Sequence, residues 1–159
     1  MWPLPFFEWA EATTLGEMIR TSPWAFAVIE SFHLLALSVI GGAVLIVDLR
    51  LLGFGLRKQP IAEVARDARP WLIGSLIVML VTGISLYTSE ATKCYGSAAF
   101  WIKMISLVLA IVFTFTVRRT ITMDDEQHVL PRTSRSVGLV SVGLWFAVAW
   151  GGRWIGFGG

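Results

Sequence analysis

Four long apolar stretches dominate the chain, running from Trp24 to about Val47, Trp71 to about Thr88, Ala98 to Val117 and Val137 to about Phe157. Each is close to the roughly 20 residues that a helix needs to cross a bilayer. Apolar residues occur on every side of these segments, so none has the polar face of a helix on a soluble domain. Backbone groups in lipid must be satisfied within the segment, which predicts four helices. Pro23 and Pro70 precede the first and second stretches, and proline suits the opening turn of a helix. Residues 1–22 differ: Trp2, Phe6, Phe7, Trp9, Leu15 and Met18 alternate with Glu8, Glu11 and Glu17. With no basic n-region this is not a signal peptide. It predicts a short helix lying on the membrane surface, or an aromatic anchor. The expected architecture is an all-α membrane protein: one domain over residues 1–159, a four-helix transmembrane bundle with a short N-terminal interfacial helix.

Composition agrees. Apolar residues are 55% of the 159-residue chain and charged residues 15%, against about 25% charged in soluble domains; mean hydropathy is +0.69. Disorder is excluded. The net charge of +2, with no basic patch beside exposed aromatics, excludes nucleic acid as the expected partner. The single Cys94 and two histidines exclude an internal disulfide and a cysteine-based zinc site. Cys94, in the second loop, is read as a free thiol or a link between chains.

Charge placement predicts orientation. The first loop holds Arg50, Arg57, Lys58, Arg66 and Arg69, and the third holds Arg118, Arg119, Arg132 and Arg135. The N-terminal segment offers only Arg20 and the second loop only Lys93. The first and third loops are therefore expected in the cytoplasm, with both termini on the outer, periplasmic side of an inner membrane.

Ionisable residues inside apolar spans need a reason. Four qualify: Glu30 and His33 in the first helix, Lys103 in the third and Arg153 in the fourth. At about 1.5 Å per residue, His33 lies roughly 13 Å, Lys103 roughly 8 Å and Arg153 roughly 6 Å from the outer ends of their helices. Three helices thus direct polar groups to the outer half of the bundle. Glu30 and His33, three apart, share a face; Leu37, Gly41, Val44 and Asp48 continue it inward. Gly41 and Gly42 allow close approach of a flat cofactor or of a neighbouring helix.

His33 has two readings. As a ligand, its neutral imidazole gives one nitrogen to haem iron while the other is oriented by a hydrogen bond. Lys103 and Arg153 would then pair with the haem propionates. Alternatively His33, Glu30, Lys103 and Arg153 form a polar network that only fixes helix packing. Met79 and Met104 have the depth of a second axial ligand, but methionine is also ordinary core filler. Asp48 and Arg50, in VDLRLLG, read as an anchor in which Asp48 pairs with Arg50 or a nearby arginine. The run Asp124, Asp125, Glu126 and His128 reads as a solvated loop.

The segments IESFHLLALSVIGGAVLIVDLRLLGFGL, PWLIGSLIVMLVTGISLYTSEA, FWIK and GGRWIGF resemble an uncharacterised bacterial family of small four-helix inner-membrane proteins. The resemblance runs from about Trp9 to Phe157. A histidine in the first helix, glycines two turns on, an arginine at its inner end and a lysine opening the third helix are also similar to two other families. These are the CopD-type copper-resistance membrane proteins and the haem-containing membrane protoporphyrinogen oxidases. The second resemblance implies a haem ligand at His33 and a functional role for Lys103. The chain lacks the further histidines and methionines of both families.

The expected function is thus an integral membrane b-type haem-binding redox protein or subunit. His33 is the iron ligand, and Lys103, Arg153, Glu30 and Gly41 are the other cofactor-binding residues. Its partners are the lipid bilayer, a quinone or membrane redox partner, and a second copy of the chain in a homo-oligomer. The alternatives are a non-catalytic assembly protein held by the buried polar network, and a pathway for protons or small molecules through Glu30 and His33.

Overall fold

The computed structural model describes residues 4–56, 58–123 and 131–155, and these form helices and short connections with no strand among them. The acidic run with His128 and the end of the fourth stretch at Phe157 lie outside the described residues. The N-terminal segment forms two helices instead of one, α1 (Leu4–Glu11) and α2 (Thr14–Thr21). Thr13 separates them. Its hydroxyl donates to the Ala10 carbonyl at 2.7 Å and accepts from the Gly16 amide, capping α2.

Helix α3 (Pro23–Leu52) opens on Ser22, whose hydroxyl accepts from the Ala25 amide, with Pro23 in the first helical position. It closes at Gly53, whose φ of +83° lets the chain turn back while the Phe54 amide reaches the Leu49 carbonyl. At 30 residues it is about 45 Å long.

Helix α4 (Ile61–Ser89) starts well before Pro70, which sits inside it. This corrects the expectation that Pro70 opens the helix. A proline there forfeits a backbone hydrogen bond and costs about 3 kcal/mol. The preceding turns stay helical because Val64 and Ala68, with Ile61 and Ala65 beside them, pack on Val47, Leu51 and Val137. A short α5 (Ala91–Tyr95) follows, then α6 (Ala98–Phe113), a π-helical turn over Thr114–Arg118 and α7 (Arg119–Met123). The third element therefore runs six residues beyond Val117. The last helix, α8, is Pro131–Ile155.

Three helical segments, Pro23–Leu52, Ile61–Ser89 and Ala98–Met123, are long and apolar enough to cross a membrane. Their outward faces are apolar: Trp24, Phe32, Leu35, Val81, Ile84 and Ile105 are all exposed. The interior is built from small and branched residues, with Ala36, Ile40, Leu76, Ala110, Trp145 and Val148 at its centre.

The neighbours are α3 with α4, α3 with α8, and α6 with α8, while α4 and α6 scarcely touch. The four-helix arrangement is thus open along one seam. At the end where α3 begins, here the upper end, α1 covers that seam. The Phe7 ring packs edge-on against Tyr87 at 5.4 Å and Tyr95 at 5.3 Å, and Tyr87 stacks on Phe100 at 5.8 Å. Glu11 ties this cover down. Its carboxylate accepts from the Thr92 hydroxyl at 2.5 Å and amide at 2.7 Å, and from Arg20 at 3.0 Å. The Thr92 hydrogen bonds hold the Glu11 carboxyl below the usual carboxylate range.

Candidate functional site

The upper half of the bundle encloses a vestibule of about 280 Å³. His33 and Glu30 reach it from α3, Lys103 from α6, Arg153 from α8 and Cys94 from α5. The four ionisable residues singled out by depth therefore share one cavity. Among the described residues no carboxylate lies within ion-pairing distance of Lys103. Glu30 is exposed at the vestibule margin.

His33 is held by α4. Its Nδ1 lies 2.8 Å from Thr82 Oγ1. The single proton of that hydroxyl goes to the Val78 carbonyl at 2.7 Å. With its proton on Val78 the Thr82 oxygen accepts from His33, which corresponds to the tautomer with Nδ1 protonated and the Nε2 lone pair free. Gly83 lets the ring come this close: a Cβ there would stand 3.2 Å from His33 Cε1. Neither Thr82 nor Gly83 is among the residues expected at the site. Their signal was present in VTG, one helical turn below Tyr87, but a threonine and a glycine in an apolar helix read as packing until the facing residue is known.

Lys103 is accommodated in the same way by α8. A Cβ on Gly151 would lie 3.0 Å from Lys103 Cβ, and one on Gly152 would lie 3.5 Å from Nζ. The paired glycines make a groove along which the lysine stem runs, so its ammonium reaches the cavity. Cys94 is buried and is a free thiol. Burial pushes it up to about 11, with Glu90 adding to the effect. A link between chains through Cys94 would require α5 to move.

A second cavity, of about 500 Å³ and almost wholly apolar, fills the seam between α4 and α6. His33, Met79, Gly83, Tyr87, Phe100 and Lys103 line both spaces. They form the partition between a polar vestibule and an apolar slot. Met79 lines both cavities, and Met104 lines the slot.

With this geometry in view, residues 6–158 match a family of unknown function, DUF6644. The chain belongs to that family. Neither a curated protein nor a solved structure matches the chain. Membership in DUF6644 agrees with the resemblance to an uncharacterised family, and it brings neither copper chemistry nor porphyrin chemistry with it.

Gly41 is not brought to the site. It is exposed, lines neither the vestibule nor the slot, and a Cβ there would meet nothing within 4 Å. The glycine approach expected at Gly41 is supplied by Gly83, Gly151 and Gly152.

Near the lower end lies a second polar centre that the spans conceal. Arg118, expected in a loop, is buried, and its Nε donates to Asp48 Oδ1 at 2.8 Å. Its Nη2 donates to the Val44 carbonyl at 3.0 Å. Asp48 is fully buried. Arg50 plays no part in this pair; its Nε donates to the Gln59 carbonyl. The π-helical turn ends at Arg118, and its first residue, Thr114, accepts from Trp145 Nε1 at 3.2 Å. Such turns shift side chains relative to a regular helix, and here the turn spans the two residues that grip α8 and α3.

Proposed function

We propose that this chain is an integral membrane redox protein that binds b-type haem in the outer half of a four-helix bundle, with His33 as the iron ligand. The observation that carries this reading is the 2.8 Å hydrogen bond between His33 Nδ1 and Thr82 Oγ1, which commits one ring nitrogen and leaves the other available on a residue that lines the vestibule. A metal-bound histidine is normally oriented by such a bond from its other nitrogen.

The remaining residues suit the group. Lys103 and Arg153 supply cationic donors for two carboxylates, and both line the vestibule. Met79 lines the same space and is buried, and its thioether would serve as a further donor to the iron. Glu30, at the polar margin, holds or passes protons at its carboxylate. Haem bound there would supply one-electron transfer, its potential set by the axial ligands and the burial of the site.

In this reading α8 is the fourth span, although it is less apolar than the other three. Its exposed Leu139, Val140, Phe146 and Trp150 face lipid. The upper end is the outer end, because Arg66, Arg69, Arg119, Arg132 and Arg135 gather at the lower one. Both termini are then periplasmic.

The test is an oxidised and a dithionite-reduced absorption spectrum of the protein purified in mild detergent from haem-supplied cells. A b-type spectrum with about one haem per chain is expected. His33→Ala should lose the Soret band while remaining folded by circular dichroism. A colourless wild-type protein, or a band retained in His33→Ala, overturns the assignment.

A further inference from the structure

We propose that the slot between α4 and α6 is a lateral binding site for a lipid-soluble quinone, a flat ring carrying carbonyl oxygens and an apolar tail. The site goes beyond haem binding and rests on that reading only in placing the slot among lipids.

The first observation is the open seam. Helices α4 and α6 scarcely touch, and the gap between them is the cavity of about 500 Å³. Its mouth is formed by exposed side chains, Ile84 at 61% and Met104 at 38%. A ligand dissolved in the bilayer reaches it without passing through water.

The second is its lining. Phe7, Tyr87, Phe100 and Trp101 close the upper part of the slot. Aromatic walls favour a planar ring in offset or edge-on contact. A saturated acyl chain would gain no comparable geometry.

The third is the polar complement. The Tyr87 hydroxyl is buried and has no hydrogen-bond partner among the described residues. A buried hydroxyl left in this way is costly and marks a missing partner. Lys103, at the partition, is a second donor with no carboxylate within ion-pairing distance among the described residues. Two donors beside an otherwise apolar slot call for a ligand with acceptor oxygens. These three features together favour the quinone class over a fatty acid or a phospholipid chain.

The experiment uses the full chain in nanodiscs of neutral lipid, titrated with a short-tailed ubiquinone and read by quenching of tryptophan fluorescence, to which Trp101 in the slot contributes. Saturable quenching is expected. Tyr87→Phe, which keeps the ring and removes the donor, should weaken binding about 3- to 10-fold, as expected for one neutral hydrogen bond. Ile84→Trp, which blocks the mouth from a lipid-facing position, should abolish saturation. Oleate should not compete. Quenching that rises linearly as simple partitioning, or is unchanged in both variants, overturns the proposal; so does displacement by oleate, which would make the slot an acyl-chain site. The two readings fail separately. A colourless protein that binds quinone saturably keeps this inference and loses haem, and a haem-loaded protein with no saturable quenching does the reverse.

Discussion

Replacing Arg118 by methionine should destabilise the bundle more than any other single surface-neutral change in its lower half. The substitution removes the 2.8 Å bond to Asp48 Oδ1 and the 3.0 Å bond to the Val44 carbonyl together. It leaves behind a carboxylate that is 0% exposed, with the buried Ser141 hydroxyl as its remaining polar neighbour among the described residues. Breaking a buried ion pair from one side costs about 3–5 kcal/mol, most of it the penalty of the abandoned charge. Asp48→Asn should be milder, because the amide oxygen still accepts from Arg118 and the guanidinium keeps the Val44 carbonyl. The double change Asp48→Leu with Arg118→Met removes both charges, and buried pairs replaced in this way are often neutral; it should cost less than Arg118→Met alone. Equilibrium unfolding in mixed micelles with increasing sodium dodecyl sulfate measures the four corners of the cycle: the wild type, Arg118→Met, Asp48→Leu and the double variant. A coupling energy of about 2 kcal/mol or more is expected. If Arg118→Met costs under about 1 kcal/mol, or the single effects add within about 0.5 kcal/mol, the pair is not the lock described here.

Three further outcomes follow from other contacts. Thr82→Val keeps the shape of the side chain but removes the acceptor for His33 Nδ1, so haem affinity should fall about 10- to 100-fold, with recovery in Thr82→Ser; equal affinity in a haem titration of Thr82→Val would refute the tautomer assignment. The Glu11 carboxyl is held below its ordinary value of 4.5 in the folded chain, so its contribution is full above that value and is lost as pH falls through the folded value. Limited proteolysis between α1 and α2 should therefore accelerate from about pH 6 to about pH 3 in the wild type and already be fast at the higher pH in Glu11→Gln. Cys94, buried and pushed up to about 11, should resist iodoacetamide at pH 8 in the folded protein and react once it is unfolded in detergent; equal rates would show that α5 does not shield it.

Four long helices, an aromatic and acidic N-terminal segment, and polar residues sharing one half of the bundle were legible because each depends on local composition and on the rise of a helix. An apolar run near bilayer length has little choice but to be helical, and depths of roughly 6 to 13 Å from the helix ends place Glu30, His33, Lys103 and Arg153 in the same half of the bundle whatever the helix rotations. Element boundaries were less legible. Pro70 reads as a start on local rules, yet the packing of Val64 and Ala68 carries α4 back to Ile61. The split of the N-terminal segment at Thr13 depends on a hydrogen bond to Ala10.

The tertiary structure decided everything that depends on which faces meet. It chose Thr82 as the partner of His33 and Gly83 as its clearance, where the chain order had pointed to Gly41. It moved Arg118 from a basic loop to the partner of Asp48, 70 residues away. It also left the seam between α4 and α6 open, which no property of either helix implies. The physical reason is common to all of these. Depth along a helix follows from residue count, but rotation about its axis and the choice of neighbour arise from the summed packing of the bundle. The sequence alone therefore determined an apolar helical protein with polar residues gathered in the half where α3 begins, and the fold determined what those residues enclose.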